Sequence, residues 1–266
     1  MPARFELTDL PRHVLGIWAH PDDEAYLSAG LMARMTDVGR DVTVLTATHG
    51  EKGTSDPDDY DQPHFASRRE RELRASLAEL GVHDVRSLGY RDGECDLVGN
   101  EEAITAIAAV IASVRPDVVL TFGPDGITGH RDHRIVSRWV TEAWRRVGGD
   151  AALLYATMTH EFLERNAGLH DRIGLFGELG LDRPAAYARE QIAVECDLSD
   201  AELDRKRRAL ARHASQTDPL ARFMGEESYR TWWRTEWFRW PSEAEVWTCS
   251  VCGAFDAAAH NVGARA

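Results

Sequence analysis

The chain contains little lysine and little cysteine, and it has no apolar run long enough to cross a membrane. Lys52 and Lys206 are its only lysines, and the formal net charge of the 266 residues is −13. Binding to a nucleic-acid backbone or to an anionic membrane surface needs clustered positive charge, so we expect neither partner. No segment approaches the roughly 20 apolar residues of a membrane span. The first 14 residues lack the apolar centre of a signal peptide, and we therefore expect a cytoplasmic protein.

The cysteines are too few to build a structural zinc site of the four-thiolate type. They are Cys95, Cys196, Cys249 and Cys252. The last two form a Cys-x-x-Cys pair, which could be half of a zinc site or a redox pair, but a four-thiolate site needs a second such pair. We expect all four to be free thiols in a reducing compartment.

Apolar runs alternate with helical patterns along the first 160 residues. Runs rich in β-branched residues predict strands at 13–18, 41–48, 85–90, 117–123 and 153–158. Apolar residues spaced by three and four predict helices at 25–38, 66–80, 101–114 and 131–147. This alternation predicts a Rossmann-like three-layer α/β/α fold with a mostly parallel sheet. A capped helix is predicted at about 200–214, whereas the Trp-rich segment 229–240 is compatible with a strand or a helix.

Charged segments follow four of the predicted strands. They read HPDDE (20–24), HGEKGTSD (49–56), RDGECD (91–96) and PDGITGHRDH (124–133). Ligands of open parallel sheets bind outside the carboxyl ends of the strands. We therefore expect these four loops to converge on one crevice.

The first and last of these loops contain metal-ligand residue types. His20 and Asp23 are spaced so that both could reach one cation, and His130 or His133, or both, could complete the site. Two histidines and one carboxylate with an open position suit a catalytic zinc site and also a ferrous iron site. Consecutive residues do not easily coordinate the same ion, so Asp22 would be free to take a proton from the metal-bound water. This chemistry is hydrolysis.

The segment AHPDDE (19–24) together with GHRDH (129–133) resembles the PIG-L/LmbE-like family of metal-dependent N-acetylglucosamine de-N-acetylases. TATHGEKG (46–53), LGYRDG (88–93) and KRRALARHASQ (206–216) agree with it. The resemblance covers about residues 13–216. It implies one domain over 1–266, with 217–266 as an extension packed on the core. It also implies Zn²⁺, or Fe²⁺, as cofactor and a small N-acylated amino sugar or glycoconjugate as substrate; a homo-oligomer is compatible with the sequence.

The resemblance assigns roles to individual residues. It implies that His20, Asp23 and His133 bind the metal and that Asp22 is the general base. His130 would stabilise the oxyanion or protonate the leaving amine, with Asp132 orienting it.

The resemblance also suggests residues that contact the substrate. Arg69 would touch the sugar and Asp92 would hold a sugar hydroxyl, although a solvated helix position and a simple turn are the respective alternatives. Glu51 is a candidate substrate contact that could instead shape its loop, and His213 is one that could instead lie in the core. We expect the Glu24 carboxylate to interact favourably with the free backbone N–H groups at the start of the helix and to orient His20.

One residue departs from the family pattern, and two other hypotheses for the function stay open. Relatives that cleave the acetamide of glucosaminyl-inositol carry a tyrosine where this chain has Thr128, which indicates a different N-acylated sugar or a different group in the role of the acid. The same metal could serve hydrolysis of an ester, a thioconjugate amide or a phosphoester. A non-catalytic α/β binding module is the other reading, but no Gly-x-Gly-x-x-Gly follows the first predicted strand, which disfavours dinucleotide binding.

Overall fold

The computed structural model of the protein describes residues 10–54, 56, 58–174 and 185–247. In this part of the chain the strands are β1 (His13–Trp18), β2 (Asp41–Thr48), β3 (Asp84–Tyr90), β4 (Val118–Phe122), β5 (Ala152–Thr159), β6 (Ala186–Tyr187), β7 (Val194–Asp197) and β8 (Thr235–Arg239). The α-helices are α1 (Asp23–Asp37), α2 (Pro63–Glu79), α3 (Asn100–Val114), α4 (Gly126–Gly129), α5 (Arg131–Arg146), α6 (His160–Arg172), α7 (Asp200–Arg212), α8 (Ala214–Met224), α9 (Glu226–Trp232) and α10 (Glu243–Trp247).

The strands form one sheet in the order β3-β2-β1-β4-β5-β8-β7, with β6 paired to β5. All neighbouring pairs among the strands β1 to β5 are parallel, which confirms the predicted α/β fold with a mostly parallel sheet. The chain runs from β1 outward to β3 and then returns to place β4 on the other side of β1. The turns that follow β1 and β4 therefore open into the crevice where the strand order reverses.

Helices cover both faces of the sheet because right-handed crossovers place α1 and α2 on one face and α3 and α5 on the other. On the first face α7 packs against α1 and α2, and on the second face α3 packs against α5. The central strands β1 and β4 are largely apolar because both of their faces are buried; every residue of β4 is buried. Trp18 and Phe122, the last residues of β1 and β4, meet edge to face with ring centroids 5.1 Å apart.

The segment after residue 186 adds antiparallel strands to this sheet. β8 pairs antiparallel with β5 on one side and with β7 on the other. The Trp-rich segment contains both predicted alternatives, since its first residues end α9 and its last residues form β8. Part of the 217–266 extension is thus a strand inside the core sheet.

Cys95 and Cys196 are buried free thiols. Cys249 and Cys252 lie outside the described residues. Among the helices that the structure describes, none is both long enough and apolar enough to span a bilayer.

Candidate metal centre and active site

The HPDDE segment forms the turn between β1 and α1. Asp23 begins α1, and its Oδ2 accepts the backbone N–H of His20 at 2.8 Å. Asp22 has φ 121° and ψ −26°, a positive-φ conformation that is rare for residues other than glycine. Two consecutive aspartates can therefore face different partners: Asp23 contacts two imidazoles, and Asp22 contacts Arg69.

Three side chains from two turns bring their donor atoms together. His20 Nδ1 lies 3.1 Å from His133 Nε2. Asp23 Oδ1 lies 3.3 Å from His133 Nε2, and Asp23 Oδ2 lies 3.7 Å from His20 Nδ1. Ligand atoms about 2.0–2.2 Å from a tetrahedral ion are about 3.3–3.6 Å apart. The two imidazole nitrogens are therefore close enough to share one ion, and a different oxygen of Asp23 lies nearest to each of them.

The second ring nitrogen of each histidine faces an acceptor. His133 Nδ1 lies 3.0 Å from the carbonyl oxygen of Gly126, which places a proton on Nδ1. His20 Nε2 lies 3.0 Å from Asp92 Oδ1 and 3.2 Å from Asp132 Oδ2, which favours a proton on Nε2. In neutral imidazoles the two nitrogens that face each other then carry lone pairs. Two such lone pairs and a carboxylate suit a divalent cation, and the acceptors behind the rings fix their orientation.

Buried carboxylates make this cluster favourable for positive charge. Burial lowers the pKa of His20, but Asp132 and Asp92 outweigh burial and raise this pKa to about 10. Burial and the neighbouring charge of His20 lower the pKa of His133 to about 3. Without a metal ion, His20 therefore carries an extra proton, and its positive charge lies where the charge of the ion would be.

Two further groupings in the described part of the chain could also hold a metal. They are His20 with His130 and His133, and His20 with Asp92 and Asp132. The second would use Nε2 of His20, on the opposite edge of the ring from Asp23. In the first, His130 Nδ1 already accepts a backbone N–H, so the proton of a neutral ring lies on Nε2 and leaves no free lone pair. The set of His20, Asp23 and His133 stays the one predicted from the sequence.

Asp22 lies beside the cluster and is held by Arg69. The guanidinium donates from Nη2 to Asp22 Oδ2 at 3.1 Å and to the Pro21 carbonyl, and from Nη1 to the Gly50 carbonyl at 2.8 Å. Gly50 has φ +68°, and a Cβ there would overlap the guanidinium. Burial raises the pKa of Asp22 to about 6 although Arg69 opposes the shift. A carboxylate that titrates near neutral pH suits a general base.

His130 packs over the same cluster. Its ring centroid is 4.8 Å from that of His20 and 4.9 Å from that of His133. Its Nδ1 accepts the Asp132 backbone N–H at 3.2 Å and so caps α5. Burial and then His20 and His133 lower the pKa of His130 to about 4. His130 is therefore a neutral ring with an N–H donor at Nε2.

Asp132 and Asp92, the expected partners of His130 and of a sugar hydroxyl, both contact His20. The Asp132 carboxylate binds His20 and the Gly93 backbone N–H, at 3.2 and 2.7 Å, and its link to His130 is made by its backbone N–H. Asp132 lies in the first turn of α5, so its side chain reaches back to the turns after β1 and β3. Asp92, expected on a sugar hydroxyl, contacts His20 at 3.0 Å and is only 6% exposed.

Three more expected substrate contacts have protein partners. Arg69 is 2% exposed and braces the HPDDE turn, so it is not a solvated helix residue. Glu51 is 7% exposed and accepts the Asp92 backbone N–H at 3.2 Å, which is its loop-shaping alternative. His213 has no exposed surface and lies 2.9 Å from Glu24, so the predicted substrate contact is corrected to a core position.

Sequence reasoning missed two groups that position His133. The Phe122 ring stacks on the imidazole with centroids 4.2 Å apart and planes 12° apart. The Gly126 carbonyl accepts from its Nδ1. Gly126 has φ +73°, and a Cβ there would lie 3.0 Å from His133 Cβ. Gly126, three residues after the predicted strand 117–123, is the sequence signal for a tight turn at this place. No sequence signal indicates that Phe122 stacks on His133.

Sequence comparisons with known proteins show which family the chain belongs to. The profile of the PIG-L family, described as GlcNAc-PI de-N-acetylase, matches residues 15–144. A 1D-myo-inositol 2-acetamido-2-deoxy-alpha-D-glucopyranoside deacetylase of Streptomyces griseus is 35% identical over 251 residues, which is 79% of this chain and 77% of that protein. The chain belongs to the PIG-L family. The family predicted from AHPDDE and GHRDH is thereby confirmed.

Other members of the PIG-L family match over different lengths. The enzyme of the same name in Corynebacterium glutamicum is 31% identical over 225 residues, 76% of this chain and 74% of that protein. The one from Kineococcus radiotolerans is 34% identical over 178 residues, and the match spans 56% of this chain and 49% of its own length.

Solved structures share the fold. N,N'-diacetylchitobiose deacetylase from Pyrococcus horikoshii has a TM-score of 0.58 at 21% identity and covers 86% of this chain and 83% of its own. The zinc-inhibited form of teicoplanin deacetylase Orf2 has a TM-score of 0.59 at 15% identity, covering 87% and 99%. The 4-carboxy-2-hydroxymuconate hydratase GalB of Pseudomonas putida has a TM-score of 0.55 at 15% identity, covering 87% and 97%. A fold shared by deacetylases and a hydratase does not decide the reaction.

Proposed function

We propose that the protein hydrolyses the N-acetyl group, or another small N-acyl group, of an amino sugar or glycoconjugate with the help of one divalent metal ion. The observation that carries the proposal is the convergence of His20, Asp23 and His133 beside a second carboxylate, Asp22, that contacts Arg69. Relatives over three quarters of the chain are named as deacetylases of an acetamido sugar, which supports the amino-sugar class.

The donor set suits Zn²⁺, and two imidazoles with one carboxylate also suit Fe²⁺. We propose zinc because two imidazoles and one carboxylate with an open position are the ligand set of catalytic zinc sites. A divalent ion held by His20, Asp23 and His133 would act as a Lewis acid on water and on the acyl carbonyl. Asp92 and Asp132 would hold the His20 ring by accepting from Nε2.

The protein's own residues can carry the protons of the reaction. Asp22 takes a proton from the attacking water while Arg69 fixes its carboxylate through Oδ2. His130 donates from Nε2 to the oxygen that becomes negative as the tetrahedral centre forms. The proton on Asp22 then passes to the nitrogen of the leaving group as the C–N bond breaks. The products are the free amino sugar and a carboxylic acid.

Release of free amine from N-acylated sugars tests the proposal. Metal-reconstituted protein is incubated with N-acetylglucosamine, N,N'-diacetylchitobiose and inositol-linked N-acetylglucosamine, and amine and acetate are measured together. We expect equal amounts of both products, loss of activity with a chelator, and recovery with metal. His130→Gln should be strongly impaired, and His64→Gln, whose side chain is 64% exposed, is the matched control.

Two results would reject the proposed function. One is no amine from any N-acylated sugar while an ester or phosphoester is cleaved, which would favour the alternative hydrolases. The other is a metal-loaded protein with no hydrolytic activity at all, which would favour a binding module.

A further inference from the structure

Glu24, the last residue of HPDDE, joins the catalytic turn to a distant part of the chain. Its Oε2 accepts the backbone N–H of Asp22 at 3.0 Å, and its Oε1 lies 2.9 Å from His213 Nε2. Glu24 and His213 are both fully buried, with exposures of 0%. The expectation that Glu24 orients His20 is therefore replaced by two other contacts.

His213 is itself fixed at the junction of α7 and α8. Its backbone N–H donates to the Leu210 carbonyl at 3.0 Å, and its carbonyl accepts the Thr217 N–H at 2.9 Å. Its Nδ1 has no partner among the described residues. Because the Glu24 carboxylate can only accept, His213 Nε2 donates to it.

The backbone conformation of Asp22 is what this pair holds. At φ 121° the residue is strained unless its surroundings fix it. This conformation lets Asp22 face Arg69 while Asp23 faces His20 and His133. The N–H that Glu24 accepts belongs to the same strained residue, so the hydrogen bond acts directly on the rotation that separates the two aspartates.

We propose that Glu24 and His213 are positioning residues that hold Asp22 in its proton-accepting geometry. The role in turnover rests on the proposed function, whereas the role in geometry does not. Loss of the pair moves the Asp22 carboxylate but leaves His20, Asp23 and His133 able to bind metal. It therefore lowers kcat more than it changes KM or metal content.

The chain offers a matched control for a buried glutamate. Glu236 is also 0% exposed and accepts two backbone N–H groups of α1, from Gly30 and Leu31, at 2.8 and 3.0 Å. Its partner is Lys206, and neither residue contacts the catalytic turn. Glu236→Gln perturbs the same helix without touching Asp22.

The experiment compares Glu24→Ala, Glu24→Gln, His213→Phe and Glu236→Gln by kcat, KM, bound metal and thermal unfolding. Glu24→Ala and His213→Phe should lower kcat about 10- to 100-fold, with KM within about twofold and one metal per chain. Glu24→Gln keeps a carbonyl oxygen for the Asp22 N–H and should recover most of kcat. Glu236→Gln should lower the unfolding temperature with kcat unchanged.

Three results would overturn the proposal: wild-type kcat in folded Glu24→Ala and His213→Phe, equal loss of kcat in Glu24→Gln and Glu24→Ala, or loss of metal together with kcat. The crystal structure of Glu24→Ala, or of His213→Phe if the former does not fold, gives a readout without turnover. We expect Asp22 to leave φ near 121° while the metal ligands stay in place. An unchanged φ of Asp22 in the variant would refute the positioning role even if no substrate is found. A changed φ in the variant, together with a wild-type protein that deacetylates no substrate, would refute only the proposed function.

Discussion

Two buried glutamates tie α1 to the later part of the chain, and they do so at different places. Glu24 lies at the start of the helix and pairs with His213; Glu236 reaches the middle of the helix and pairs with Lys206 at 2.8 Å. Both accept backbone N–H groups of this segment. The contacts are alike in chemistry, but only the first adjoins the metal cluster.

The difference shows how one helix can serve stability and chemistry through separate contacts. The Lys206 ammonium donates to Glu236 and to the Tyr26 carbonyl, at 2.8 and 2.6 Å, so this ion pair is satisfied entirely within the protein. The start of the helix instead keeps the carboxylate of Asp22 directed at Arg69. Changes at the start should therefore affect turnover, and changes at the middle should affect unfolding.

The largest expected effect is at the start of the helix. Asp22→Asn keeps the side-chain volume but removes the proton acceptor, so kcat should fall about 10²- to 10⁴-fold. Bound metal and the free energy of unfolding should change little. Steady-state kinetics and elemental analysis on the same sample check this, and wild-type kcat in the variant would remove Asp22 from the mechanism.

The next effect separates the middle of the helix from the site. Lys206→Met leaves the Glu236 charge buried without its partner, which should lower the free energy of unfolding by about 3–5 kcal/mol. Adding Glu236→Gln should restore part of this loss. Denaturant unfolding measures the change, and kcat of the folded protein should remain that of wild type. A fall in kcat at saturating metal would mean that the two contacts are not separable.

A smaller effect concerns the ring orientation behind the metal. Asp132→Asn weakens the acceptor of His20 Nε2, and such changes cost about 10- to 100-fold in metal affinity. Competition with a chromogenic chelator gives the dissociation constant. Equal affinity in wild type and variant would show that Asp132 does not support His20.

The smallest effect is expected at His170, which belongs to neither contact. Its Nε2 accepts the Trp232 indole N–H at 3.0 Å, and burial lowers its pKa to about 4 from the ordinary 6.5. Between these values the unfolded chain binds more protons than the folded one, so stability falls as pH decreases from about 6.5 to 4. His170→Gln, which can still accept from Trp232, should lose less stability over this range. Identical pH profiles by thermal unfolding would contradict the assignment.

The parallel part of the fold could be predicted because its signals are local. The strand bounds 13–18 and 41–48 agree with β1 and β2, since continuous apolar runs mark strands buried on both faces. The predicted helix at 25–38 begins two residues earlier, because the motif itself forms its first turn. The antiparallel β8 was ambiguous because it carries the buried Glu236, whose partner Lys206 is 30 residues away.

The candidate site was likewise predictable only where its signals are local. HPDDE directly follows β1, and GHRDH joins α4 to α5 after β4, so their convergence follows from the neighbouring positions of β1 and β4 in the sheet. The partners of Asp132 and Arg69 do not, because each depends on which distant backbone the side chain meets. Asp132 is two residues from His130 in sequence, yet the first turn of α5 directs its carboxylate to His20.

We propose that one divalent ion binds at Nδ1 of His20, between Asp23 and His133. Anomalous diffraction at the zinc edge from a zinc-loaded crystal tests it most directly. We expect one peak about 2.0–2.2 Å from His20 Nδ1, His133 Nε2 and an Asp23 oxygen. A peak on the Nε2 side of His20, between Asp92 and Asp132, would contradict the account.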